Sequence, residues 1–296
     1  MNTQARTIGH SFAAFAGDIK LAHSIFALPF AASAFVIGHL PLPTIGQTVS
    51  LLLAMVSARS FAMGMNRYID RNIDAENPRT TQRGIPSQKL SERAALGWCG
   101  LSAVCLLLAA FTLSKMAGIL SVPLLFVLAF YSYWKRFSWL AHWYLGLCLG
   151  FAPVAVCIAI KGSAPLAVTL LGIAITMWTA GFDILYSLQD IAFDRGKGLR
   201  SIPSRFGPAP AILVSRSCFI TMITLLLWVG HFASRGAIYY AGVLAIALIL
   251  FYEQYLIRDA KLTGKSKNIS AAFFNANAYV SVAFFAAVVA DYWIGL

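Results

Sequence analysis

The chain has 296 residues, 59% of them hydrophobic and only 11% charged, with a mean hydropathy of +0.73. A soluble domain carries about 25% charged residues, so this composition excludes an ordinary soluble enzyme and points to one polytopic membrane domain covering 1–296. The net charge of +12 comes from basic residues spread along the chain rather than gathered on a soluble arm, so no nucleic-acid partner is expected.

A membrane span needs about 20 mostly apolar residues. Nine segments qualify, at roughly 19–38, 44–65, 92–113, 116–134, 139–160, 164–189, 209–230, 236–257 and 270–294. The first reads as a full span rather than a cleavable leader. Short Pro- or Gly-bearing turns join several of them, such as His39-Leu-Pro-Leu-Pro43 and Lys161-Gly-Ser-Ala-Pro165. Two connections, 66–91 and 190–208, are long and polar. The five cysteines form no CxxC and lie mostly in apolar runs, where they read as small buried hydrophobes.

With the N-terminus inside, the cytoplasmic side collects Arg6 and Lys20, six basic residues in 66–95, Lys135 and Arg136, five in 195–216 and four in 258–267. The other side has Lys115, Lys161 and Arg235, and Arg59 lies inside a span. Cytoplasmic loops concentrate Lys and Arg, so the N-terminus is expected inside and the C-terminus outside. The bilayer is thus an expected partner, with the basic run from Arg258 to Lys267 touching anionic lipid. His39, His142 and His231 are expected near the outer interface.

Acids are scarce, at 11 of 296 residues, and six of them fall within 70–76 and 183–194. The first group reads Asn66-Arg-Tyr-Ile-Asp70-Arg-Asn-Ile-Asp74; the second reads Tyr186-Ser-Leu-Gln-Asp190-Ile-Ala-Phe-Asp194. Carboxylates near a bilayer are kept where they pair, bind metal or line a watery cavity. On a helix, residues four apart share a face with Cβ atoms about 5–6 Å apart, so each aspartate pair can grip one cation. Arg59, Asn66, Asp70 and Asp74, offset by 0, 7, 11 and 15, fall on one expected stripe, and Asp183, Asp190 and Asp194 repeat the offsets 0, 7 and 11.

Each pair is followed by an echo, Arg83-Gly-Ile85-Pro86-Ser87 and Arg200-Ser-Ile202-Pro203-Ser204. That pattern describes a diverged internal repeat, roughly 15–135 and 139–258 plus a ninth span, with pseudo-symmetric halves facing one cavity. Hard carboxylate ligands without His or Cys favour magnesium, which bridges a few carboxylates to substrate phosphates. Arg67, Arg71, Arg79, Arg83, Lys89, Arg195, Lys197 and Arg200 would meet the remaining phosphate oxygens. A diphosphate carried on a long isoprenoid would explain why such a site sits among membrane spans. The alternative of a cation-coupled transporter predicts acids near the bilayer midplane, whereas these sit at cytoplasmic ends of spans.

At this point the residues resemble a known family. Asn66-x-x-x-Asp70-x-x-x-Asp74 with Asn77-Pro-Arg-Thr80, and Asp183-x-x-Tyr186-x-x-x-Asp190-x-x-x-Asp194-x-x-x-Gly198-x-x-Ser201, are similar to the two aspartate-rich motifs of the UbiA superfamily of intramembrane prenyltransferases. The resemblance implies an all-α polytopic fold with nine transmembrane helices around a central cavity under cytoplasmic cap loops. It also implies Mg2+ dependence, catalytic and metal-binding roles for Asp70, Asp74, Asp190 and Asp194, and a metal role for Asn66. Arg59 matches a cavity-facing arginine, and Lys135 with Arg136 matches a basic turn near the diphosphate. Asp183 is expected either to orient Tyr186 or a lysine or to take part directly; His23 either packs or lines the acceptor pocket.

Within the superfamily, His23-Ser-Ile-Phe-Ala-Leu-Pro-Phe30 and Gly181-Phe-Asp-Ile-Leu-Tyr-Ser-Leu-Gln-Asp190 resemble the 4-hydroxybenzoate polyprenyltransferase branch. The expected substrates are therefore a polyprenyl diphosphate and a small aromatic acid, 4-hydroxybenzoate, in quinone biosynthesis at the inner membrane. Because Arg83-Gly-Ile-Pro stands where Arg-Pro-Leu or Arg-Pro-Ile is common, 1,4-dihydroxy-6-naphthoate is the alternative acceptor.

Overall fold

The structure is a computed structural model that describes residues 8–19, 28–258 and 277–295. Among these residues all regular structure is helical. Five helices are short: α1 (Ile8–Asp18), α2 (Leu28–Ile37), α4 (Arg71–Glu76), α9 (Ile191–Gly196) and α10 (Ile202–Phe206). Eight are long and apolar enough to cross a membrane: α3 (Ile45–Ile69), α5 (Glu92–Leu113), α6 (Lys115–Trp134), α7 (Ala141–Lys161), α8 (Leu166–Ser187, continued by a short turn into α9), α11 (Pro208–Phe232), α12 (Ala237–Leu256) and α13 (Asn277–Ile294). The nine expected spans are met by the eight long helices and apolar α2; parts of the expected 19–38 and 270–294 segments lie outside the described residues.

Local sequence explains where these helices begin. Thr44 starts α3 with a reciprocal cap: its hydroxyl accepts the Gln47 N–H at 3.2 Å, and the Gln47 side chain accepts the Thr44 N–H at 3.0 Å. Ser91 caps α5 by a single bond, its hydroxyl accepting the Ala94 N–H at 3.2 Å. The start of α12 is satisfied from another helix, because Asp291 of α13 accepts the N–H groups of Gly236 and Tyr239 at 2.9 and 3.1 Å. Pro123 and Pro153 lie within α6 and α7, as membrane helices tolerate.

The described chain forms two compact units, residues 8–19 with 43–133, and residues 28–42 with 134–258 and 277–295. Helix α2 belongs to the second unit, so neither unit is one continuous stretch of chain. In the first, α3 packs on α5, and Phe15, Ile19, Leu90, Ala95 and Cys99 form a buried cluster. In the second, α8 is the most buried span and packs against α7 and α11. Its contact with α7 is made through small residues: a Cβ on Gly172 would stand 2.6 Å from the Gly150 carbonyl oxygen. Such close backbone approach is how membrane helices associate where lipid is as apolar as leucine.

Candidate active site

The first acid segment begins where α3 ends. Asp70 adopts φ −91°, ψ 3°, the bridge region common at turns and active sites, and α4 follows. The expected uninterrupted helical stripe is therefore corrected to a long helix and a short helix with a joint at Asp70. Aspartate suits such a joint better than a helix interior, because its short side chain competes for nearby backbone groups. The hydrogen bonds still carry across, with Asp70 N–H to Asn66 O at 2.9 Å and Asp74 N–H to Asp70 O at 2.8 Å.

The side chains at this joint are highly organised. Asn66 Nδ2 donates to Asp70 Oδ2 at 3.0 Å and to the Ser132 hydroxyl at 3.2 Å. Its Oδ1 accepts from Arg67 Nη1 at 2.7 Å. Arg67 is itself buried, donating to the Asp18 carbonyl at 3.3 Å and lying 3.9 Å from the Asp18 carboxylate. Asp70 is 1% exposed. Asp74 is also buried, and Arg83 Nη1 stands 2.7 Å from both of its carboxylate oxygens. Thus two of the arginines expected to meet phosphate are committed to this network.

The run Asn77-Pro-Arg-Thr80 folds into a turn beneath Asp74. Asn77 Oδ1 accepts the Arg79 N–H at 3.0 Å, and the Thr80 hydroxyl donates to the Asp74 carbonyl at 3.0 Å. The Arg79 residue is exposed. Arg71 lies 4.4 Å above the Tyr68 ring, donates to the Tyr68 carbonyl, and sits 3.0 Å from a Glu92 oxygen. Further back in α3, Arg59 is half-buried, and its buried Nε has no hydrogen-bond partner among the described residues.

The second segment repeats the joint. After α8 a single 3-10 turn, Leu188–Asp190, leads into α9, and Asp190 takes φ −104°, ψ 5°. Asp70 and Asp190 therefore share a backbone conformation, and the expected single stripe is corrected here too. Asp194 is half-buried and accepts the Ser201 hydroxyl at 3.1 Å. Gly198, at φ +67°, turns the chain so that Ser201 can cap α10. Arg200 donates its N–H to the Lys135 carbonyl at 2.7 Å and its guanidinium to the Phe137 carbonyl. The basic turn of Lys135 and Arg136, both half-buried, is thereby tied to this segment.

Asp183 faces neither of the partners expected for it in sequence. Its Oδ2 lies 2.7 Å from His142 Nδ1, while His142 Nε2 accepts the Ile202 N–H at 3.3 Å. The accepted bond fixes the tautomer, so Nδ1 carries the proton and donates to Asp183. His142 is 3% exposed, which corrects its expected place at the outer interface. It stands in the first turn of α7, just after the Lys135–Arg136 turn, and so meets the loop that follows the second acid pair. Sequence reading also missed Asp18 and Ser132, though the scarcity of acids was a usable signal for Asp18. Tyr186 is half-buried, and its carbonyl accepts from Gln189. His23 lies outside the described residues.

Among the described residues, no three His, Cys, Asp or Glu side chains gather as a metal cage. The donors are carboxylates in pairs with an amide beside one of them. This set is unlike the closed nitrogen and sulfur sites of zinc, and it fits magnesium, which keeps waters and takes most other ligands from phosphate.

The chain is thus a bundle of apolar helices long enough to span a membrane, with paired aspartates at two helix joints. The UbiA prenyltransferase family pattern matches residues 27–278, and the chain belongs to that family. It is 32% identical over 216 residues to a 4-hydroxybenzoate octaprenyltransferase of Photobacterium profundum, covering 73% of this chain and 75% of the relative. It is 31% identical over 254 residues to the enzyme of the same name from an Azoarcus species, covering 86% of each. The apo structure of a UbiA homolog from Aeropyrum pernix K1 superposes with a TM-score of 0.82 at 28% identity, covering 92% of this chain and 98% of that one. A UbiA homolog from Archaeoglobus fulgidus, solved with GPP and Mg2+, has the same fold at a TM-score of 0.71 and 23% identity, covering 93% and 99%.

Proposed function

We propose that this prenyltransferase moves a polyprenyl group from polyprenyl diphosphate to an aromatic acid, 4-hydroxybenzoate, with magnesium as its cofactor. The observation that carries this reading is the recurrence of an aspartate pair at two joints of the same backbone geometry, each beside basic residues. The names borne by relatives above 30% identity supply the acceptor. Asp70, oriented by Asn66, and Asp74 hold metal in the first segment, and Asp190 and Asp194 do so in the second. Bound magnesium would supply positive charge that offsets the charge developing on the leaving diphosphate.

In the transfer, the bond from the prenyl carbon to diphosphate oxygen breaks and its electron pair leaves with the diphosphate. A ring carbon of the acceptor bonds to that prenyl carbon, and the ring proton is lost to water or diphosphate. Lys135, Arg136, Arg71 and Arg79 stabilise the departing diphosphate, and Asp183 with Tyr186 shapes the second segment. Arg59 receives the acceptor carboxylate, a role supported by its unpaired, buried Nε within a membrane span. The matching joints also support two pseudo-repeated halves within one domain. The bias of Lys and Arg toward alternate loops supports a cytoplasmic-membrane location with the N-terminus inside.

Radiolabelled polyprenyl diphosphate offered with 4-hydroxybenzoate, with and without magnesium, tests the assignment. A lipid-soluble labelled product that requires both acceptor and metal is expected. Product from 1,4-dihydroxy-6-naphthoate alone would move the enzyme to the other acceptor. Arg59→Ala is expected to raise the acceptor KM by about tenfold or more, the value of a charge-assisted hydrogen bond. The prenyl diphosphate KM should stay unchanged, and equal rises in both would remove Arg59 from the acceptor site.

A further inference from the structure

In the second unit, α11 and α12 leave between them a groove of about 590 Å3, within the usual range of ligand sites. Its walls are apolar, with Phe219, Ile223 and Leu250 among them, and Arg216, Gln254 and Arg258 stand toward the end where α11 begins and α12 finishes. Arg216 is the ninth residue of a 25-residue span. Its Nε donates to Gln254 Oε1 at 3.1 Å, and Gln254 Nε2 donates to the Ser215 hydroxyl at 3.1 Å. Gln254 is 8% exposed and Ser215 fully buried, so Arg216, whose residue is exposed, is anchored through its Nε to the protein interior. Arg258 lies over the Tyr255 ring at 3.9 Å. Neither arginine forms an ion pair with an acid among the described residues.

Arg216, exposed and anchored to a buried amide, and the exposed Arg258 beside it offer positive charge to an anion at the polar end of the groove. The groove that leads from it is apolar, so the anion has a hydrocarbon tail. We infer that this groove binds an anionic glycerophospholipid, with the phosphodiester against Arg216 and Arg258 and an acyl chain along Phe219, Ile223 and Leu250. A prenyl diphosphate is the poorer fit, because no carboxylate lines the groove to hold the divalent cation that accompanies a diphosphate. The inference does not depend on which acceptor the enzyme prenylates.

The test uses the full chain in nanodiscs of equimolar phosphatidylcholine and phosphatidylglycerol, with retained lipids weighed by native mass spectrometry. The wild type should keep phosphatidylglycerol in excess. The Arg216→Gln/Arg258→Gln variant should reduce that excess roughly thirtyfold, as removal of two basic contacts to anionic lipid predicts. A diazirine-tailed phosphatidylglycerol on the wild type serves as a second measurement that needs no variant, and its label should map to 219–223 and 247–250. Unchanged retention in the variant, label elsewhere, or displacement of phosphatidylglycerol from the groove by polyprenyl diphosphate would each overturn the inference.

Discussion

Asp74 and Asp194 close their acid segments at the same spacing, yet their surroundings differ in kind. Asp74 is buried and meets the Arg83 guanidinium through both oxygens, while Asn66, itself held by Arg67, donates to the neighbouring Asp70. Asp194 is half-buried and accepts one hydroxyl, from Ser201. A buried carboxylate must be matched by a paired cation, since desolvation costs several kcal/mol per ion; a half-buried one can rely on water and a hydroxyl. The first segment therefore contributes to the integrity of its unit in addition to the ligand role proposed for it. The second can spend its charge on a ligand.

Asp194→Asn sharpens this contrast most strongly. Loss of one charge proposed to hold metal should cut turnover by roughly a hundredfold or more, while the melting temperature in detergent stays near the wild type. A large drop in melting temperature would erase the distinction between the segments. Arg83→Ala should act on stability instead, costing about 3 kcal/mol because Asp74 is left buried and unpaired. Adding Asp74→Asn should recover much of that loss, and a double-mutant cycle with no coupling would break the pairing argument.

His142→Ala should cost about 1–3 kcal/mol, since Asp183 and the Ile202 N–H both lose their partner. Thermal unfolding beside His142→Gln, which can donate and accept, gives the reading; equal losses in both variants would point to volume rather than hydrogen bonding. Ser201→Ala should have the smallest effect, about 1 kcal/mol for a lost helix cap. Ser201→Thr should restore it, and the prenyl diphosphate KM of Ser201→Ala measures how far the same hydroxyl orients Asp194.

The spans were legible because their signal is local: an apolar run long enough to cross a bilayer ends where polar residues begin. The segment expected at 92–113 is the helix Glu92–Leu113, and that expected at 116–134 is Lys115–Trp134. The acid segments were legible for the related reason that charge is rare here. Periodicity failed at Asp70 and Asp190, because i,i+4 spacing is satisfied equally by one helix and by two helices hinged at the first acid. Partner choice was hidden as well. His142 lies 41 residues from Asp183 and 60 from Ile202, and the tertiary fold brings all three together. Arg83 looked like a phosphate ligand because spacing reports that a cation is near an acid segment, not which anion already holds it.

The glycine seam between α7 and α8 has a mechanical consequence. Where Gly150 and Gly172 meet backbone to backbone, with only Thr176 and Val154 side chains close by, small rotamer changes give the two helices little room to slide past one another. The hairpin acts as a stiff strut, and the separation of His142 from Asp183 is set by main-chain geometry rather than by the adjustable lengths of side chains. The 3-10 turn at Leu188–Asp190 then sets how the second acid pair is carried off the end of α8. Substitutions that thicken the seam would be felt at His142 and Asp183 near the strut's end, a lever arm away from the atoms that changed.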